Sequence, residues 1–129
     1  MADATKKRPV YLNLVSIRLP LPGFVSILHR ISGALLFLLL LIFGVGWFAD
    51  SLASPSAFAA LKQTFSYPIV RLLLLVALWA YLHHFCAGIR YLLMDLDIGV
   101  TLAPARMSSY AVLAVSILLT LFVGSWLLW

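Results

Sequence analysis

The stretch IVRLLLLVALWAYLHHFCAGIRYLLM, from Ile69 to Met94, decides the class of this chain. A helix rising about 1.5 Å per residue crosses a hydrocarbon core of about 30 Å in roughly 20 residues, so the run can span a bilayer. Its arginines, Arg71 and Arg90, stand toward its two ends, and deep between them lie adjacent imidazoles, His83 and His84. Hydrocarbon is a poor solvent for imidazole, so a histidine pair inside a span is the first candidate for a ligand-binding or proton-conducting site.

Two further apolar runs flank this one, Ile31 to Ala49 and Met107 to Trp129. Of the 129 residues, 64% are hydrophobic and 10% charged, and the mean hydropathy is +1.10. A water-soluble domain of this size has no interior large enough for that apolar surface. The expected fold is therefore an all-α membrane protein with three transmembrane helices, near 24–49, 68–94 and 106–129. Lys6, Lys7, Arg8, Pro9, Arg18, Pro20 and Pro22 interrupt the first residues, so no cleavable signal peptide is expected. Cys86, the only cysteine, reads as a small buried hydrophobe.

The net charge of +5 follows the spans rather than forming one solvated basic patch, so nucleic acid is not an expected partner. With a cytoplasmic N-terminus, Lys6, Lys7, Arg8, Arg18, Arg30, Arg90 and Arg106 fall inside and only Lys62 and Arg71 outside. That bias sets the N-terminus in and the C-terminus out. Residues 1–23 read as a cytoplasmic arm and 24–129 as the membrane domain, with Pro20-Leu21-Pro22-Gly23 starting helix 1 near Phe24. Residues 50–66 read as an external loop with room for a short interfacial helix, and Ser54-Pro55 and Pro68 carry helix-start chemistry. Trp47, Trp79, Trp126 and Trp129 include candidates for an interfacial belt.

Within the central span, His84, Gly88, Tyr91 and Asp95 recur at i, i+4, i+7 and i+11, the spacing of one helical face. Histidine followed one turn later by glycine suits a flat metal macrocycle: the imidazole ligates, and the missing side chain admits a ring close to the backbone. Counted from Asp95, His84 lies about 16 Å deep, whereas Arg90 is expected near the surface, where inner-side cations meet haem propionates. The alternative is a histidine hydrogen-bonded to a neighbouring helix. His83 points about 100° away, so one iron cannot take both imidazoles as opposite ligands; it reads as a packing or supporting residue.

In helix 1, Ser26, Arg30 and Gly33 stand at i, i+4 and i+7, with His29 beside them. A hydroxyl and a fixed cation at the hydrocarbon boundary suit the carbonyl oxygens of a quinone. Arg30 or His29 suits a haem propionate equally well, and snorkelling to lipid headgroups is the simpler reading of both.

Arg8-Pro9 with Leu12 and Leu14, Ser26-Ile27-Leu28-His29-Arg30-Ile31-Ser32-Gly33, and His84-x-x-x-Gly88-Ile89-Arg90 with Asp95 together resemble the cytochrome b membrane-anchor subunit of succinate dehydrogenase. The resemblance covers nearly the whole chain in motif order and number of spans. It implies half of a six-helix anchor bundle, paired in the lipid bilayer with a second three-helix anchor subunit and docked to an iron-sulfur subunit and a flavoprotein subunit in respiratory complex II of a bacterial inner membrane. It implies that His84 is an axial ligand of haem b shared with that second subunit, that His29, Arg30 and Gly88 contact the haem, and that Ser26 and Arg30 bind ubiquinone. FAD and iron-sulfur clusters would belong to the partners, and this chain would perform no succinate chemistry itself. Asp95 matches an acidic family position near the quinone, and Tyr91 stands where the family commonly has histidine. The rival readings are an anchor subunit of a quinol:fumarate reductase and a small membrane transport or assembly protein without haem.

Overall fold

The computed structural model describes residues 17–128, which are helical apart from short connections. Lys6, Lys7, Arg8, Pro9, Leu12, Leu14 and Trp129, to which the sequence assigns roles, lie outside the described residues. The first span comprises α1 (Leu21–Leu39), a π-helical turn (Leu40–Gly44) and α2 (Val45–Ala53); α3 (Pro55–Thr64), α4 (Pro68–Asp95) and α5 (Leu102–Leu128) follow. Three helical runs, Leu21–Ala53, Pro68–Asp95 and Leu102–Leu128, are long and apolar enough to cross a membrane.

Prolines account for where the sequence misplaces two helix starts. Helix α1 begins at Leu21, not near Phe24, and α5 begins at Leu102, not near 106. Pro22 and Pro104 sit in the first turns of their helices, where a backbone N–H would have no intrahelical acceptor, so proline costs nothing there. The same chemistry falls where expected in α3 and α4: the Ser54 hydroxyl accepts from Ala57 N–H at 3.1 Å, and Pro55 and Pro68 open their helices. The first span runs on to Ala53, and the loop expected over 50–66 is largely the helix α3.

The α4–α5 connection is closed by a Schellman arrangement. Asp97, at φ 60°, takes the left-handed position; its N–H donates to Met94 O at 3.0 Å, and Ile98 N–H donates to Leu93 O at 3.0 Å. Gly99, at φ 77°, completes the reversal in a conformation that costs glycine little.

Helix α4 packs against both α1 and α5, which also touch each other. The α5 face toward it is lined by small and polar residues at three- and four-residue intervals, Ala105, Ser109, Val112, Ser116, Thr120 and Gly124, all buried. Small residues let helix backbones approach closely where lipid offers no hydrophobic drive for association. Most large apolar side chains face outward, among them Phe122 and Trp126. Trp126 lies toward the end of its span and is exposed, whereas Trp79 is in mid-span with its ring stacked 5.3 Å from that of His83.

Enlarging a residue in the α4–α5 seam should be costly. Ser109→Leu is expected to destabilise by about 1–3 kcal/mol through overpacking, lowering the melting temperature of the detergent-solubilised assembly, while Ser125→Leu on the exposed face should leave it unchanged.

Candidate functional site

Helix α4 faces its two neighbours with different polar residues because consecutive side chains diverge by about 100°. His84, Gly88 and Tyr91 turn toward α1, and His83 and Arg90, seven residues apart, turn toward α5.

On the α1 side, the His84 ring enters a notch over Gly33. A Cβ built on Gly33 would stand 2.9 Å from His84 Cε1, closer than side chains tolerate. His84 Nδ1 lies 3.0 Å from the backbone oxygen of His29 and 3.3 Å from Ser32 Oγ, and the Ser32 hydroxyl donates to that same His29 oxygen at 2.9 Å. A carbonyl oxygen only accepts, so Nδ1 carries the proton and the lone pair of the neutral ring resides on Nε2. Nε2 has no hydrogen-bond partner among the described residues, and His84 is half-buried. A metal-binding imidazole is commonly oriented in this way, with one nitrogen donating to a backbone oxygen and the other free to ligate.

The His29 ring stacks on His84, with centroids 4.2 Å apart and planes inclined by 17°, and tilts against Tyr91 at 5.1 Å. It therefore does not snorkel. Its Nε2 is buried without a hydrogen-bond partner, as is the Tyr91 hydroxyl. A Cβ on Gly88 would make only ordinary contact with His29 Nε2, at 3.8 Å, so no atom in this part of the chain demands glycine there.

Ser26 is half-buried on the flank of α1, and Arg30, one turn on, is exposed. The two share a stripe as their spacing predicts, but Arg30 stays outside the His29–His84 contact. Asp95 ends α4 and is exposed.

On the α5 side, Arg90 is 5% exposed within the chain: its Nε donates to Ser108 Oγ at 2.9 Å and one terminal nitrogen donates to Ala105 O at 3.4 Å, while the other is buried without a hydrogen-bond partner among the described residues. Counting residues from a helix end gives depth but not direction, and Arg90 points into the bundle. His83 is fully buried, its Nδ1 3.5 Å from Ser116 Oγ, in keeping with a packing role. Sequence reasoning assigned no role to Ser32, although its position three residues after His29 already placed its hydroxyl within reach of that carbonyl.

Among the described residues no three histidine, cysteine or acidic side chains cluster as a metal site. A group ligated here would have to be one that needs a single imidazole from this chain.

Fold and site together define a multi-pass membrane protein that buries an oriented histidine between its first two spans. A profile of the succinate dehydrogenase/fumarate reductase transmembrane subunit matches residues 4–123. The chain is 37% identical over 123 residues to a succinate dehydrogenase cytochrome b556 subunit of Coxiella burnetii, covering 94% of this chain and 97% of that protein. It is 35% identical over 121 residues to the subunit of that name from Paracoccus denitrificans, covering 92% of each, and 30% identical over 115 residues to that of Rickettsia felis, covering 89% of each. The chain belongs to the family of succinate dehydrogenase/fumarate reductase transmembrane subunits and is a cytochrome b-type anchor subunit within it. Membership replaces the reading as a transport or assembly protein.

The Gly33 notch yields a contrast between two glycines. Gly33→Val should push the His84 ring from its place and lower the melting temperature of the assembled complex. Gly46→Val, at a position where an added Cβ meets nothing within 4 Å, should not.

Proposed function

We propose that this chain is one half of the membrane anchor of a succinate:quinone oxidoreductase, that His84 is an axial ligand of a haem b completed by a second three-span anchor subunit, and that Ser26 and Arg30 form part of the site where ubiquinone is reduced. The observation that carries the haem reading is the hydrogen bonding of His84: with Nδ1 committed to the His29 carbonyl and Ser32, Nε2 presents a lone pair.

The remaining residues fit such a group. His29 Nε2, buried and unpartnered, and exposed Arg30 supply candidate donors for propionates. Gly88 carries no side chain, and the nearest atom outside its own helix to where its Cβ would stand is His29 Nε2, at 3.8 Å. Bound there, a b-type haem supplies one-electron storage at low reorganisation cost. The chain's own part is to hold the ligating ring rigid, through the stack on His29 and the Gly33 notch, and to exclude other tautomers.

At the quinone, the Arg30 guanidinium would bind one carbonyl oxygen and stabilise the negative charge that grows there as electrons arrive from the iron-sulfur subunit. The Ser26 hydroxyl, one turn away, would orient the ring by donating a second hydrogen bond. Complete reduction takes two electrons and two protons, and the protons would come from the cytoplasmic face. In this reading the N-terminus is inside and the C-terminus in the periplasm of a bacterial inner membrane, as the charge bias favours. The curated relatives are named for succinate dehydrogenase, which favours succinate oxidation over the fumarate-reducing direction.

Two experiments test this reading. In the purified complex, His84→Leu should abolish or shift the low-spin b-type signal of the reduced-minus-oxidised spectrum; an unchanged spectrum excludes axial ligation by His84. Arg30→Ala and Ser26→Ala should each lower succinate-driven ubiquinone reduction about 10-fold or more, the scale of losing a hydrogen bond to a charged or charging group, while succinate oxidation with an artificial soluble acceptor stays near wild type. Equal loss in both assays would mean failed assembly and would remove the quinone assignment.

A further inference from the structure

At the end of the bundle opposite the start of α1, a cavity of about 570 Å³ lies between α3, the first turns of α4 and the last turn of α5. Its lining combines two cations, Lys62 and Arg71, with apolar walls from Phe65, Leu74, Leu127 and Leu128. Neither catalysis nor the histidine cluster makes use of it.

The charges are arranged for an anion that the described residues of the lining do not supply. Lys62 is in the last turn of α3, where a cation suits the helix dipole. Arg71 is in the first turn of α4, where the dipole is already positive, and no acidic residue lies in that turn. Among the described residues no carboxylate lines the cavity. Within the described residues Arg71 makes one long bond, Nε to Phe65 O at 3.4 Å, which leaves the terminal nitrogens of its fork free. Lys62 and Arg71 are also the only basic residues between the first span and the middle of the second.

The walls choose among anions. Leu74 lies six residues inside the start of α4, about 9 Å along the helix, so the cavity runs from the level of headgroups into the level of acyl chains. A free phosphate would gain nothing from that apolar floor. A zwitterionic lipid would bring its own cation to a site that already holds two.

We propose that this cavity is a binding site for one anionic phospholipid, whose phosphate is held by Lys62 and Arg71 and whose first acyl carbons lie along Leu74, Leu127 and Leu128. The site is independent of the haem and quinone assignments and rests only on the chain spanning a membrane. Each cation near an anionic headgroup is worth roughly fivefold in affinity, so loss of both should weaken binding about 30-fold.

The test uses the intact complex purified in mild detergent, with bound lipid counted by mass spectrometry after extraction. Wild type should retain about one anionic phospholipid that the double variant Lys62→Gln with Arg71→Gln loses, with succinate–quinone activity unchanged. Leu74→Trp, which fills the floor and leaves both charges, should lose it as well and decides the matter should the double variant fail to assemble. In delipidated wild-type complex, phosphatidylglycerol should raise the melting temperature, while phosphatidylcholine and inorganic phosphate should not. Equal retention in wild type and variants, an equal effect of phosphatidylcholine, or a full effect of phosphate alone would each overturn the proposal.

Discussion

The structure turns on one hydrogen bond in a solvent that offers none: the His84 Nδ1–H to the His29 carbonyl, reinforced by Ser32. In hydrocarbon every polar group must be satisfied from within the protein, and an imidazole in mid-span fixes whatever satisfies it. Here that is the backbone of α1, reached only because Gly33 leaves a notch. One contact thus sets the distance between the first two spans, the rotation of α4 and the tautomer of the ring. Burial of apolar surface cannot do this work, because lipid is as apolar as the helices.

Helix α4 meets this constraint on two faces, set about 100° apart. The α1 side holds His84, Gly88 and Tyr91, and the α5 side holds His83 and Arg90 against Ser116, Ser108 and the Ala105 carbonyl. Rotating α4 in either direction would withdraw polar atoms from both sets of partners and expose them to acyl chains. A buried guanidinium is costly unless hydrogen-bonded, so Arg90 locks α4 to α5 with a penalty for release rather than with a large net gain. The consequence for the site is rigidity: the ring that presents Nε2 rides on a helix that cannot turn.

How much of this could be read beforehand varies with the kind of signal. The three spans follow from length and apolarity, and Ser54-Pro55 and Pro68 mark helix starts correctly because capping is local chemistry. Pro22 and Pro104 mislead because proline is equally at home just before a helix and within its first turn. The stripe of His84, Gly88 and Tyr91 is legible from spacing alone. Which neighbour it faces is not, and the same gap hides the burial of Arg90: depth follows from counting, whereas direction depends on α5. Ser32 is visible in the motif but acquires meaning only when the His29 carbonyl is seen to serve two donors.

The polar atoms left over bear on why such a chain works as part of an assembly. On the α1–α4 side, His29 Nε2 and the Tyr91 hydroxyl are buried without hydrogen-bond partners among the described residues, and His84 Nε2 has none either. Each unsatisfied buried group costs about 1–3 kcal/mol, a sum comparable to the whole stability of a small protein. The three spans by themselves leave these atoms unsatisfied. On the α5 side His83 Nε2 and a terminal nitrogen of Arg90 are likewise buried without partners among the described residues, so unsatisfied groups line both seams of α4, and any group or subunit that satisfied them would be thermodynamically linked to folding.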